Sequence, residues 1–137
     1  MEKIHIDPKK QKVVYNACYG GFGLSREAID WLEANAREEV REYIKERREY
    51  YKANKYSRLK EWESVSYDLM DDYDDSGFGM SRHDADLVKC VEALGDKASG
   101  SCAELKVREL SGRIYRIDEY DGYETVHENY HDYIVAD

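Results

Sequence analysis

The residues whose types and spacing best suit a binding site form a glycine loop at 18–24, Cys-Tyr-Gly-Gly-Phe-Gly-Leu. Residues 12–17 before it are β-branched and aromatic, which predicts a strand, while Ser25 and Glu27 are typical of a helix N-cap and first turn. Glycines at this junction let backbone N–H groups approach an anion closely. The sequence therefore indicates an anion site, with phosphate favoured. The loop matches neither the P-loop nor the dinucleotide fingerprint in full, so a glycine turn that binds nothing is the alternative.

Three other groups have suitable residue types without the full spacing of a chemical site. Residues 72–77, Asp-Tyr-Asp-Asp-Ser-Gly, resemble the first half of a calcium loop, but its twelfth position is His83 rather than Glu. His127 and His131 have a zinc-compatible spacing without an evident third ligand. Cys18 lies near a helix N-terminus that could stabilise a thiolate, without an evident histidine partner. We expect no metal, no cofactor and no catalytic residue, so the chain is interpreted as a binding protein.

The composition narrows the class of protein. A length of 137 residues predicts one domain, 1–137. The net charge of −9 argues against stable nucleic-acid binding, which requires a basic face. No apolar run of about 18 residues and no secretory signal are present, so no membrane partner is expected. The cysteines, Cys18, Cys90 and Cys102, lack metal-ligand spacing, which favours a reduced, cytoplasmic setting without disulfides.

The helical and acidic segments follow the glycine loop. A short first strand is predicted at 3–6, and a helix from Ser25 to about Tyr56, with interruptions expected at Asn35 or 52–54. Residues 37–60 carry nine basic and five acidic side chains, which predicts a solvated helix face. The alternative is that some of Arg41, Lys45, Arg48 and Lys52 face the acidic surface of a partner or a ligand phosphate. Residues 61–75 carry seven acids and no base. We expect this acidic stretch to be a mobile connection or a variable insert at about 57–80.

The second half of the chain predicts one helix and several strands. Asp84 is a good N-cap and Gly95 a good C-terminal stop for a helix at 85–94. Residues 103–110 alternate as a half-buried strand, and Ser111-Gly112 is expected to turn the chain into a returning strand at 113–126, broken or turned at Asp121-Gly122. The predicted fold is α+β: a small, mostly antiparallel sheet of three to four strands with two main helices. The thirteen tyrosines favour covering its edge with a second copy, as a homodimer or higher assembly.

Three segments together are more specific than any one of them: CYGGFGLS at 18–25, RHDADLV at 82–88 with EALG at 92–95, and IDEYDGYE at 117–124. With the elements around them they cover about two thirds of the chain and resemble a small-protein family widespread in phages and prophages. Ala85 departs from the family pattern, in which proline is expected. That family is similar to the phage Thoeris anti-defence "sponge" proteins. The resemblance implies a host-cytosol homo-oligomer that binds a cyclic ADP-ribose immune signal and sequesters it without cleavage.

A ligand of this class would use the glycine loop and the residues around it. Backbone N–H groups of 20–24 with Arg82, Arg108 or Arg113 would neutralise phosphates. Tyr19, Phe22 or Tyr120 would stack on adenine, and Asp118, Glu119 or Asp121 would accept hydrogen bonds from ribose. The full set of expected ligand-binding residues is Asn16, Cys18, Tyr19, Gly20, Gly21, Phe22, Gly23, Leu24, Arg82, Arg108, Arg113, Asp118, Tyr120 and Asp121.

Two other functions stay open from the residues alone. The acidic runs 61–75 and 117–137 could imitate a nucleic-acid backbone, so that the chain inhibits a host defence protein by protein–protein contact. The chain could also have a phage structural role without any ligand, since acidic residues alone indicate only solubility. An acidic mimic would tolerate changes in the glycine loop, whereas a sponge would tolerate changes in the acidic runs.

Overall fold

The computed structural model describes residues 11–54, 58–71 and 78–128, together with the strand 134–135. The predicted strand at 3–6, the calcium-like segment 72–77 and His131 lie outside this described part. The elements are β1 (Lys12–Asn16), α1 (Arg26–Asn35), α2 (Glu38–Ala53), α3 (Glu61–Leu69), α4 (Ala85–Leu94), β2 (Leu105–Glu109), β3 (Ile114–Tyr120), β4 (Tyr123–His127) and β5 (Ile134–Val135), with a 3₁₀ turn at Gly95–Ala98. This order confirms the α+β class. No helix in the described residues is long and apolar enough to cross a membrane.

The strands form two small antiparallel sheets in place of the single sheet that was predicted. β1 pairs with β2, and β3 pairs with both β4 and β5. The prediction that the strand after Ser111-Gly112 returns along β2 is therefore wrong, because β2 lies against β1 and β3 lies against β4. The predicted turn at Asp121-Gly122 is confirmed as the tip of the β3–β4 hairpin, where both residues have positive φ.

The β1–β2 ribbon is covered on both faces. Val14 and Leu105 belong to the main core, which they share with the helices. Val13, which precedes Val14 in β1, points to the opposite face and packs with Leu110, Tyr115 and Val126 in a second, smaller core. The protein is thus layered: helices, then the β1–β2 ribbon, then the sheet that contains β3 and β4.

The helices begin and end where local sequence signals place them. Ser25 caps α1, accepting a hydrogen bond from the Ala28 N–H, and α1 ends at Asn35, one of the two expected interruptions. Asp84 caps α4 by accepting from Asp86 and Leu87, and Gly95 ends it with a φ of 60°. The predicted helices at 25–56 and 85–94 are therefore α1 with α2, and α4.

The segment predicted as a connection or insert at 57–80 contains α3, to which the sequence analysis assigned no helix. Val65 and Leu69 of α3 are fully buried in the main core. α3 is tied to the other helices by Arg48 of α2, whose guanidinium donates to Glu61 at 2.9 Å, Glu33 at 2.5 Å and Asp30 at 2.7 Å. Arg48, one of the basic residues of 37–60, therefore forms ion pairs within the molecule.

Candidate functional site

The glycine loop is anchored by the buried side chain of Asn16 at the end of β1. The Asn16 amide donates to the carbonyl oxygens of Cys18 and Gly122, both at 2.8 Å, and its oxygen accepts from the Glu104 N–H at 2.8 Å. One side chain therefore joins the start of the loop, the β3–β4 hairpin tip and the entry to β2. Asn16 was expected to bind ligand; the structure shows that its side chain contacts these three backbone groups, which position the loop.

Two glycines are required by close backbone contacts around this loop. A Cβ on Gly20 would lie 1.8 Å from the Cys102 carbonyl oxygen, which leaves no room for a side chain. A Cβ on Gly122 would lie 2.6 Å from both the Gly21 nitrogen and the Tyr19 oxygen, and Gly122 has a φ of +91°. The loop is therefore held between the hairpin tip and the turn at 100–103, with its far end fixed by the Gly100 N–H donating to the Gly23 oxygen at 2.8 Å.

A pocket of about 630 Å³ opens beside the glycine loop. It lies between the loop and the start of α1 on one side, α3 on a second and the 100–103 turn on a third. Its size falls within the usual range for small-molecule sites. The lining residues are Gly20, Gly21, Phe22, Gly23, Leu24, Ser25, Arg26, Glu27, Leu59, Trp62, Glu63, Ser66, Tyr67, Met70, Asp71, Arg82, Gly100, Ser101, Cys102 and Ala103.

The N-terminus of α1 reaches this pocket through Arg26 and Glu27. The Ala28 N–H donates to the Ser25 hydroxyl at 3.0 Å, and the Ile29 N–H donates to the Ser25 carbonyl oxygen at 3.1 Å. The N–H groups of Arg26 and Glu27 precede these bonds, so they have no acceptor within the helix. The Leu24 N–H, which was expected to serve the ligand, donates to the Ser66 hydroxyl of α3 at 2.9 Å.

Arg82 lies at the pocket wall with its charge already paired. Its guanidinium forms a two-pronged contact with the carboxylate of Glu124, at 2.5 and 2.8 Å, and lies 3.8 Å from the centre of the Phe22 ring. Glu124 is buried on β4 and also accepts from the Asn16 N–H at 2.8 Å. Arg82 therefore supports Phe22, while most of its positive charge is neutralised before any ligand arrives.

The rest of the pocket wall is aromatic and close to neutral. Trp62 of α3 lies under the Arg26 guanidinium, at 5.7 Å from the ring centre, within cation–π range. Tyr67 of α3 is 72% exposed and also lines the pocket. Two arginines and three carboxylates line the pocket, so the lining has no excess of positive side chains. Anion binding here would rest on the start of α1 and Arg26 more than on a cationic wall.

The structure divides the expected ligand-binding residues into two groups. Six of them line the pocket: Gly20, Gly21, Phe22, Gly23, Leu24 and Arg82. The other eight do not appear in its lining: Asn16, Cys18, Tyr19, Arg108, Arg113, Asp118, Tyr120 and Asp121.

Several of the eight have other contacts. Arg108 donates to the Val126 oxygen at 3.0 Å and to Glu128 at 2.9 Å. Asp118 pairs with Arg116 at 3.0 Å and with His127 at 3.1 Å. Arg113 is exposed, and Asp121 shapes the hairpin tip.

Tyr19, Tyr120 and Tyr123 form an exposed tyrosine patch beside the hairpin tip. Tyr120 and Tyr123 are direct partners in the β3–β4 pairing, and the Tyr19 and Tyr123 rings lie 5.2 Å apart. The exposed fractions are 66% for Tyr19, 78% for Tyr120 and 39% for Tyr123. The two tyrosines that were expected to stack on a base thus belong to a surface outside the pocket.

Sequence reasoning missed the pocket residues on α3 and the 100–103 turn. Trp62, Ser66 and Met70 are spaced by four residues, and Tyr67 lies three before Met70, so a helix assignment for this segment would have placed these side chains toward one side. The acidic composition of 61–75 hid that pattern. Arg26 was also missed, although its position directly after the Ser25 cap is a signal that sequence alone provides.

In the described part of the chain, the cysteine and histidine residues considered as chemical sites do not converge into a catalytic or metal-binding cluster. The Cys18 thiol contacts the Asn16 side-chain oxygen and the Cys102 carbonyl, while His83 contacts Tyr115 and His127 contacts Asp118. Among the described residues, no group of three or more metal-ligating side chains converges. Comparison of the chain with protein-family models, with curated proteins and with solved structures gives no match.

Proposed function

We propose that this protein is a phage anti-defence protein of the host-cell cytosol that binds and sequesters a cyclic nucleotide immune signal, of the cyclic ADP-ribose type, without cleaving it. The observation that carries the proposal is the pocket of about 630 Å³ where a glycine loop, a helix start and aromatic side chains meet. Pockets of this size enclose small molecules, and this combination suits a ligand with phosphates at one end and a planar base at the other.

The phosphates are assigned to the start of α1. The backbone N–H groups of Arg26 and Glu27 and the positive end of the helix dipole favour negative charge there. The Arg26 side chain adds a formal positive charge at the same wall. Arg82, which the sequence favoured for this task, is assigned the support of Phe22 because Glu124 already holds its guanidinium.

The base and the ribose hydroxyls are assigned to α3 and its flank. Trp62 and Tyr67 offer ring faces for stacking, and Phe22 offers a third from the glycine loop. Glu63 and Asp71 line the same pocket and can accept hydrogen bonds from ribose hydroxyls, as acidic residues do in dinucleotide sites. They replace Asp118 and Asp121 in that role. Sequestration needs enclosure alone, so the proposal gives no residue a catalytic part.

The test is thermal unfolding of the full chain with cyclic ADP-ribose isomers, compared with linear ADP-ribose and AMP. A ligand at about 100 times its Kd should raise the Tm by roughly 5–10 °C. Tyr67→Ala and Arg26→Ala should each weaken binding on the order of tenfold, because each removes a stacking or charged contact. Tyr50→Ala is the matched control, since Tyr50 is also exposed but lies on α2 outside the pocket lining.

The state of the ligand after heat release distinguishes the outcomes. Unchanged ligand supports sequestration, and a converted ligand would make the protein an enzyme. No shift with any nucleotide would overturn the proposal and favour the acidic-mimic alternative. That alternative has less support from the described acids, because Glu61 and Asp68 are paired with Arg48 and Arg47.

We also propose that the protein self-associates as a homodimer or higher assembly through the tyrosine patch. Tyrosine is enriched in protein interfaces because it buries a large ring at a low entropic cost. The patch gathers Tyr19, Tyr120 and Tyr123 at one surface, and Tyr120 is the most exposed of the large hydrophobic residues described.

A further inference from the structure

Two of the three cysteines are neighbours at the edge of the pocket. Cys18 follows β1, Cys102 precedes β2, and these strands pair antiparallel with Asn16 opposite Leu105. The pairing continues one step further, since the Ala17 N–H donates to the Glu104 oxygen at 2.8 Å. The Cys18 thiol then donates to the Cys102 carbonyl oxygen at 3.1 Å. Continued by one more residue, this register places Cys18 opposite Ala103, so Cys102 is the diagonal neighbour of Cys18 although 84 positions separate the two cysteines in sequence.

This arrangement brings the two cysteines close together and leaves them accessible. The Cys18 thiol lies 3.1 Å from the carbonyl oxygen of Cys102, so a small movement of the 100–103 turn would bring the pair to disulfide geometry, with about 4.4–6.8 Å between Cα atoms. Cys18 is half-buried and Cys102 is exposed, so a small oxidant can reach the pair. Cys90 differs from both: it is fully buried in the main core, and burial raises the pKa of its thiol to about 12.

We propose that Cys18 and Cys102 are a redox modification site that closes to an internal disulfide on exposure to a small disulfide oxidant such as oxidised glutathione. The Cys102 thiolate attacks one sulfur of the oxidant, forms a mixed disulfide and releases one glutathione thiolate. The Cys18 thiol then loses its proton to solvent and attacks the Cys102 sulfur, releasing the second glutathione thiolate. Two protein thiols are oxidised while the oxidant's disulfide is reduced to two thiols.

The bond would act on the pocket because Cys102 and Gly20, which the Cys102 backbone contacts, both belong to the pocket wall. Cys102 lines the pocket, and its carbonyl oxygen already lies against Gly20 with no room for a Cβ. Drawing the 100–103 turn toward Cys18 must therefore shift the glycine loop or close the pocket edge. Disulfide formation stands on the cysteine geometry alone, and only the effect on ligand binding rests on the proposed function.

The experiment is mass spectrometry of the full chain after reduction and then incubation with oxidised glutathione. We expect a mass loss of two hydrogen atoms, a fall from three free thiols to one, and one peptide pair that joins Cys18 to Cys102. Cys90→Ala should behave the same way, whereas Cys18→Ser and Cys102→Ser should stop at a glutathione adduct or stay reduced. Glutathione adducts without an internal bond in the wild-type chain, or a bond to Cys90, would overturn the inference. Peptide mapping of the wild-type chain decides this even if a serine variant fails to fold.

A second arm separates this inference from the proposed function. The Tm shift caused by cyclic ADP-ribose is measured on the reduced and the oxidised chain, and we expect the oxidised chain to lose most of that shift. An equal shift in both forms would overturn the regulatory effect. An internal disulfide in a chain that no nucleotide stabilises would retain the modification site and overturn the proposed function. A Tm shift with cyclic ADP-ribose in a chain that forms no internal disulfide would support the proposed function and overturn the modification site.

Discussion

Arg82 is held by a carboxylate that lies 42 positions away in sequence. The Arg82 guanidinium is held at the pocket wall by two contacts with Glu124 and by its position over the Phe22 ring. A ligand phosphate would have to displace Glu124 to use this charge, and Glu124 is buried where water cannot easily replace the arginine. Arg82 is for this reason better regarded as part of the scaffold of the pocket.

Removing the charge of Glu124 should reveal how much this contact stabilises the fold. Glu124→Gln keeps the volume and an acceptor for the Asn16 N–H but leaves Arg82 without its counter-charge. We expect the free energy of unfolding to fall by about 1–3 kcal/mol, because a partly buried cation loses its partner. Urea denaturation at neutral pH measures this change.

The control for Glu124→Gln is Asp118→Asn. Asp118 pairs with Arg116 at a side chain that is 52% exposed, and exposed pairs contribute under about 1 kcal/mol. Equal effects of the two substitutions would contradict the assignment of Arg82 and Glu124 as a structural pair.

At the scale of elements, local signals could be predicted and long-range pairings could not. The caps Ser25 and Asp84 and the turn at Asp121-Gly122 follow from side chains that act within a few residues. The partner of β2 cannot be predicted from such local signals, because an alternating strand such as 105–109 fits β1 or β3 equally well. The partner of β2 is decided by the burial of Val13 and Val14 on opposite faces of β1. Val14 packs in the main core with the helices, and Val13 packs in the smaller core with residues of β3 and β4.

α3 illustrates the same limit for helices. Seven acids between 61 and 75 suggested a mobile connection or an insert, yet Val65 and Leu69 belong to the core. Two of these acids, Asp68 and Glu61, are paired with Arg47 and Arg48 of α2. One wall of the candidate site depends on this helix, which is why the sequence located the glycine loop and missed the aromatic wall opposite.

Glu128 connects the end of β4 to the turn between β2 and β3, and its contacts predict a pH effect. Its carboxylate accepts from the Ser111 N–H at 2.7 Å, from the Ser111 hydroxyl at 2.9 Å and from Arg108 at 2.9 Å. The Ser111 N–H foremost, then the hydroxyl and Arg108, hold the pKa of Glu128 below its usual value. A lowered folded-state pKa stabilises the fold above the unfolded pKa of about 4.3. That contribution is lost as the pH falls from there through the lowered pKa.

Glu128→Gln should therefore cost about 1 kcal/mol of unfolding free energy at pH 7 and progressively less below about pH 4. Chemical denaturation across this range measures the difference from the wild-type chain. Glu104→Gln is the control, since Glu104 is more than half exposed and lies 3.6 Å from Lys106. A Glu128→Gln effect that stays constant with pH would argue against the ionised carboxylate as its source.

At the scale of the whole molecule, the hairpin tip has two neighbours. Gly122 lies against the glycine loop, while Tyr123 contacts Tyr19 and is the strand partner of the exposed Tyr120. A partner bound to the tyrosine patch would thus contact the same loop that lines the pocket. Self-association through this patch would restrain the glycine loop, so assembly and ligand binding should favour each other if both occur.

Replacing Tyr120 tests whether the tyrosine patch is the self-association surface. Tyr120 is 78% exposed, so Tyr120→Ser should fold normally, while loss of a central interface tyrosine should weaken association roughly 30-fold. Sedimentation velocity at matched concentrations should show the wild-type assembly dissociating toward monomers in the variant. Tyr67→Ser is the matched control, because Tyr67 is 72% exposed but lies at the pocket on α3. A monomeric wild-type chain, or an equal effect of both substitutions, would mean that the patch does not join two copies. If Tyr120→Ser alone dissociates the assembly, the hairpin tip joins the copies, and the pocket variants can then be interpreted as effects on ligand alone.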